Sequence, residues 1–208
     1  MKKYIVLIIS FLALGFSVMA QNAESVLKSA VDKLKSYDNI AISFDYDMIN
    51  TDAGINESME GSACMQGNAY RLNILGQEII CDGTTTWTYN ADAEEVMISE
   101  VDNENGKGTP LAVMNSYYDD INAKFTDDGK TDIRKIEAKP KSADDNLNKL
   151  LITLNVKTLE IKDIHIFDNN GNEFVYIIKT FVTNQELPAD YFTFKESAYP
   201  DAEVIDMR

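Results

Sequence analysis

Few residues of this chain could break or make bonds. The single histidine, His165, lies in an apolar-alternating segment. It has no cysteine, second histidine or clustered carboxylate at metal-ligand spacing. No nucleophile elbow and no phosphate-binding loop occurs. Adjacent acids do occur, at Asp119-Asp120, Asp127-Asp128 and Asp144-Asp145. General acid–base work would need one member of a pair to be desolvated, and these pairs sit in polar turns. No catalytic residue, metal site or cofactor is therefore assigned. A secreted hydrolase built on acids alone stays as the lesser alternative.

The other chemistry available is non-covalent. Ile42, Phe44, Tyr46 and Met48 alternate with Ser43, Asp45 and Asp47, the pattern of a half-buried strand. Tyr70, Leu72 and Ile74 alternate with Arg71 and Asn73, and Trp87 and Tyr89 with Thr86 and Thr88. Leu150, Ile152, Leu154 and Val156 repeat the pattern. Such stripes line ordinary cores, and they could also wall a pocket for apolar ligands. The expectation is one shared wall of Ile42, Phe44, Tyr46, Tyr70, Leu72, Ile74, Trp87, Tyr89, Ile152 and Leu154, with Arg71 and Asn73 facing away.

The elements that must hold this wall are short strands joined by tight turns at Gly67-Asn68, Gly76, Asp82-Gly83 and Asn169-Gly171. Two helices are expected. The first, over 22–37, carries Asn22 as its cap and Leu27, Ala30, Val31 and Leu34 on one stripe. The second starts at Thr109-Pro110, after a polar run containing Gly106 and Gly108. It brings Leu111, Val113, Met114, Tyr117 and Tyr118, the residues of a candidate lid. Strand segments also include 61–66, 95–101, 122–126, 132–138, 161–167, 174–182, 191–194 and 203–206. The total is about eleven strands: a mainly β, α+β domain built as an antiparallel meander.

Cys64 and Cys81 are the only cysteines. If the meander turns at Gly67-Asn68 and Leu75-Gly76, one strand separates them. They then lie about 9–10 Å apart, beyond the roughly 7 Å that a disulfide spans. Two free thiols are expected, both on the face of Arg71.

Lys2 and Lys3, the apolar run Ile5–Val18 and the small residues of Val18-Met19-Ala20 make a secretory signal peptide, cut after Ala20. Residues 21–208 then form a single domain. No cysteine stands at the cleavage site, so a free periplasmic protein, a monomer, is expected. The chain carries 34 acidic against 19 basic residues, and loss of Lys2 and Lys3 takes the net charge from −15 to −17. Nucleic acid is excluded as a partner, and anionic membrane surfaces repel such a protein. Approach to a membrane would need a docking protein.

Three segments carry a resemblance. DGTTTWTY at 82–89, TPLAVM at 109–114 and YFTFKESAYPDAEVID at 191–206 resemble, in order, segments of the outer-membrane lipoprotein carrier family. The resemblance implies an open, incomplete antiparallel β-barrel closed on one side by helices over a hydrophobic cavity. It implies no enzyme activity. The cargo would be acylated lipoproteins, taken from an ATP-driven inner-membrane transporter and passed to an outer-membrane receptor. Tyr70 stands where the family has a cavity aromatic, and Leu111, Val113 and Met114 match the lid. The family commonly places a lid-holding arginine at the end of the strand before the turn. Gln66 stands there, and Arg71 lies beyond the turn. An envelope-stress sensor or another lipid-binding module on the same architecture is the alternative. Such relatives usually carry a further domain.

Overall fold

A computed structural model describes residues 22–101, 121–141 and 147–208. The expected signal peptide at 1–20 and the expected lid residues Leu111, Val113, Met114, Tyr117 and Tyr118 lie outside the described residues.

The chain begins with helix α1, Ala23–Lys35. Asn22 caps it, its side chain accepting a hydrogen bond from Ser25 N at 2.7 Å. Glu24 in the first turn and Lys33 and Lys35 in the last suit the helix dipole. Its apolar stripe of Ala23, Val26, Leu27, Ala30 and Val31 is buried.

Twelve strands follow among the described residues. They are β1 (Ile40–Asn50), β2 (Ile55–Gln66), β3 (Ala69–Ile74), β4 (Gln77–Cys81), β5 (Thr85–Asn90) and β6 (Glu95–Glu100). The second half holds β7 (Ile121–Phe125), β8 (Ile133–Pro140), β9 (Leu147–Asn155), β10 (Ile161–Asp168), β11 (Glu173–Thr183) and β12 (Glu203–Asp206). All belong to one open sheet, ordered β12-β6-β5-β4-β3-β2-β1-β11-β10-β9-β8-β7. The expected mainly β, unclosed architecture holds, with two differences. The strand expected at 191–194 is a turn, and β12 pairs parallel with β6. A long connection lets the tail cross the sheet before it reaches that edge.

β2 starts at Ile55, six residues before the segment legible in the sequence. Asn56, Glu57, Ser58 and Glu60 are all exposed. With polar residues on both faces, that half of the strand has no alternation to read.

Candidate functional site

Directly opposed residues of antiparallel strands share a face of the sheet. Ile42 opposes Ala63, which opposes Leu72, which opposes Ile79. Phe44 opposes Gly61 on one side and Ile178 on the other; Tyr46 opposes Met59 and Tyr176. The register therefore gathers Ile42, Phe44, Tyr46, Tyr70, Leu72 and Ile74 on one face, as expected. Arg71 and Asn73 point to the reverse face.

β11 adds Phe174, Tyr176 and Ile178 to the cluster. Val175 and Ile177 stand between these three, so the segment reads as an unbroken apolar run and the sequence does not show which of its residues share the cluster face. The Tyr46 and Tyr176 rings lie 5.1 Å apart and tilted, and Phe44 sits 5.5 Å from Tyr176. Such tilted contacts suit the ring quadrupoles. Phe44, Tyr46 and Leu72 are buried, at 1, 4 and 3 % exposure. Burial raises the pKa of Tyr46, Tyr70 and Tyr176 above the ordinary tyrosine value. Glu57 adds to the rise at Tyr46, while a hydrogen bond with Thr86 opposes it at Tyr70. These phenols stay neutral at physiological pH, and Glu57, which opposes Met48, is a carboxylate on the same face. The wall can hold apolar matter.

Two pairs of expected wall residues lie elsewhere. Ile152 and Leu154 share the face but are packed beneath α1, against Val26, Leu27 and Val31 with Ile136 and Ile164. They form the helix–sheet core. Trp87 and Tyr89 are on the reverse face. Trp87 opposes Ile80, which opposes Arg71; Tyr89 opposes Glu78, which opposes Asn73. Alternation within a strand says which residues share a face, and it leaves the parity between two strands to the turn that joins them.

The tail covers that reverse face. Phe194 stacks on Trp87 at 5.8 Å, and Tyr199 lies 5.2 Å from Phe194 and 4.7 Å from Tyr89. The Tyr199 hydroxyl donates to Glu78 at 2.7 Å. Burial, and then this bond, push its pKa up to about 12. Arg71 Nε sits 3.3 Å from Glu78 Oε1, an ion pair without the alignment of a hydrogen bond, and its guanidinium lies 5.3 Å from the Tyr191 ring. Arg71 thus anchors the tail, on the face away from the apolar cluster. Gln66, at the end of β2, is exposed.

The cysteines illustrate the same parity. Both are free and buried. Cys64 opposes Arg71, as expected, but Cys81 opposes Tyr70. The β3–β4 hairpin turns on two residues, Leu75 and Gly76, both at positive φ. That tight turn shifts the pairing by one residue from the expected register. The two thiols consequently lie on opposite faces.

A cavity of about 800 Å³ lies at a step in the sheet. Phe44, Gly61 and Ile74 line it from the cluster side. Ser43, Asp45, Glu60 and Ser62 line it from the reverse side.

The family profile described as outer membrane lipoprotein carrier protein LolA matches residues 75–195, more than half of the chain. The outer-membrane lipoprotein carrier protein of Histophilus somni (strain 129Pt) is 30% identical over 201 residues, covering 93% of each chain. This chain belongs to the outer-membrane lipoprotein carrier family. Its relative from Legionella pneumophila (strain Corby) is 25% identical over 202 residues, covering 93% of this chain and 94% of the other. In fold, the LolA-family chain is similar to an uncharacterized conserved protein from Thermus thermophilus, with a TM-score of 0.55 at 9% identity. That superposition covers 89% of this chain and 99% of the other.

Proposed function

We propose that this member of the carrier family is a non-catalytic periplasmic shuttle for lipoproteins. It holds their acyl chains against the face formed by Phe44, Tyr46, Tyr70, Leu72, Ile74 and Tyr176. It collects cargo from an ATP-driven inner-membrane transporter and delivers it to an outer-membrane acceptor. The signal peptide is removed after Ala20, and the mature protein works as a monomer. The observation that carries this reading is an aromatic and aliphatic face of the sheet, in a chain of the lipoprotein carrier family.

The physics sets what such a carrier must do. Exposing an acyl chain of about 16 carbons to water costs on the order of 12 kcal/mol, at roughly 0.8 kcal/mol per methylene. A carrier therefore has to keep the chain dry. Bilayer and pocket are both apolar, so moving between them gains little. Loading needs work from a partner, and unloading needs an acceptor that binds more tightly. Phe44, Tyr46 and Leu72 are buried in the present state, so cargo entry requires the cluster to open. In this reading Leu111, Val113, Met114, Tyr117 and Tyr118 form the element that moves aside.

Purification from native periplasm followed by mass spectrometry tests the proposal. Co-purified diacylated or triacylated lipoproteins are the expected result. A stable complex with one envelope regulatory protein and no lipid would favour the sensor alternative and overturn the shuttle.

A further inference from the structure

β2 is twice as long as the strand β3 that pairs with it. Its residues Ser62–Gln66 pair with β3, whereas Ile55 through Gly61 pair only with β1 among the described residues. The chain leaves β3 at Leu75-Gly76, level with Gly61, and turns back. The tip of the β5–β6 hairpin lies beside that turn, with Ala91 N donating to Gly76 O at 3.4 Å. The two tips form the wall of a step, and the free edge of β2 forms its floor. The cavity of about 800 Å³ occupies this corner.

Several features mark the step as a docking surface. The backbone groups on the outer side of β2 face no strand of the described sheet. Asn56, Glu57, Ser58 and Glu60 are exposed, so no described residue covers the edge. Leu75, at the rim, is 54% exposed and holds a positive φ. The charge is one-sided. Asp45 pairs with Lys179 at 2.6 Å and Glu78 faces Arg71; Lys179 is also attracted by Glu60, so one lysine serves two carboxylates, while Glu57 has no ion-pair partner among the described residues. Phe44 and Ile74 belong both to the step and to the apolar cluster. A partner seated in the step would stand beside the bound acyl chains.

We propose that the step is a strand-addition site, where an extended Lys- or Arg-bearing segment of a membrane-bound docking partner pairs with the free edge of β2. Seven residues of edge offer about 23 Å of pairing length. Main-chain hydrogen bonds supply affinity, and Glu57 and Glu60 select cationic side chains. This rests on the carrier reading, since it supplies the docking that so acidic a protein needs.

A ten-residue peptide alternating lysine and valine serves as the probe, added to the mature protein without cargo. Binding is expected, with slowed amide exchange confined to 55–61. N-methylation of one alternate set of peptide residues should abolish binding, and N-methylation of the other set should be tolerated. That asymmetry is the signature of one-sided strand pairing. Glu57→Lys with Glu60→Lys should weaken binding by about tenfold or more through charge reversal. A triacylated lipopeptide is titrated in parallel. Lipopeptide binding without peptide binding, or peptide binding without protection at 55–61, overturns the strand-addition site and leaves the carrier reading intact. Peptide binding without lipopeptide binding leaves the edge site and overturns the carrier. Equal binding of an alternating glutamate–valine peptide overturns the cationic partner.

Discussion

Phe44 lies with its ring across Gly61, the residue it opposes on β2. A Cβ at position 61 would stand 2.5 Å from Phe44 Cε2 and 3.1 Å from the carbonyl oxygen of Asn73. The glycine is required by that close approach, which lets the largest fully buried side chain of the sheet lie flat between β1 and β2. The same pair separates the apolar cluster from the step.

Gly61→Val should therefore destabilise the protein by about 1–3 kcal/mol, the range for overpacking a filled site. Urea unfolding measures this. Lipopeptide affinity should fall as well, because Phe44 has to leave its place. An unchanged midpoint would show that the ring does not depend on the glycine.

Tyr70→Glu should leave the fold intact and impair cargo transfer. Tyr70 is half-buried beside Leu72 on the cluster face. A carboxylate there is costly to desolvate and disturbs acyl packing. The measurement is transfer to the acceptor in a reconstituted assay, with circular dichroism as the fold control. A wild-type rate would remove Tyr70 from the cargo path.

Trp87 is the only tryptophan, and its partner is the tail residue Phe194. Its fluorescence should report the tail and not the cargo. Phe194→Ala should red-shift the emission and lower stability by about 1 kcal/mol, as for loss of an aromatic pair. Saturating lipopeptide should leave the emission unchanged. A cargo-induced shift in wild-type protein would place acyl chains on the reverse face.

Stability should decline in alkali. Tyr46, Tyr70, Tyr176 and Tyr199 all have raised folded-state pKa values, Tyr199 at about 12. A raised value means that the folded state holds the proton more tightly than the unfolded chain does. The tyrosine contribution is full below the unfolded value near pH 10 and is lost as pH rises through the folded values. For Tyr199 that window runs from about pH 10 to about 12. Denaturation at stepped pH measures the slope, and Tyr199→Phe should make it shallower.

Both thiols should be counted when the unfolded, non-reduced protein is titrated, and neither should react quickly in the folded state. Cys64 and Cys81 are 6 and 0 % exposed, and burial raises the Cys64 pKa, keeping its thiol protonated. Finding no free thiols would contradict the register that sets them on opposite faces.

Much of this architecture is legible in the residues. Period-two alternation locates β1, β3 and β9, a continuous apolar run locates β11, and Asn22 marks the start of α1. Alternation also puts Tyr70, Leu72 and Ile74 on one face and Arg71 on the other. What it leaves open is parity between strands. One residue in the Leu75-Gly76 turn decides the side of Cys81. The pairing across β4 and β5 sends Trp87 and Tyr89 to the tail. The first half of β2 is hidden because Asn56, Glu57, Ser58 and Glu60 are polar on both faces. Ile152 and Leu154 look like wall residues until α1 is laid over them, a long-range contact that local pattern does not encode.

Photo-crosslinking tests the central claim most directly. A photoreactive phenylalanine analogue is placed in turn at Tyr70 and Tyr176, on the cluster face, and at Ser62 and Asn73, on the reverse face of the same strands or their neighbours. Each variant is loaded with triacylated lipopeptide and irradiated. Crosslinks to the acyl chains from positions 70 and 176, and none from 62 and 73, are expected. Crosslinks from 62 and 73 alone, or from no position in a protein that binds the lipopeptide, would contradict an acyl-chain site on this face.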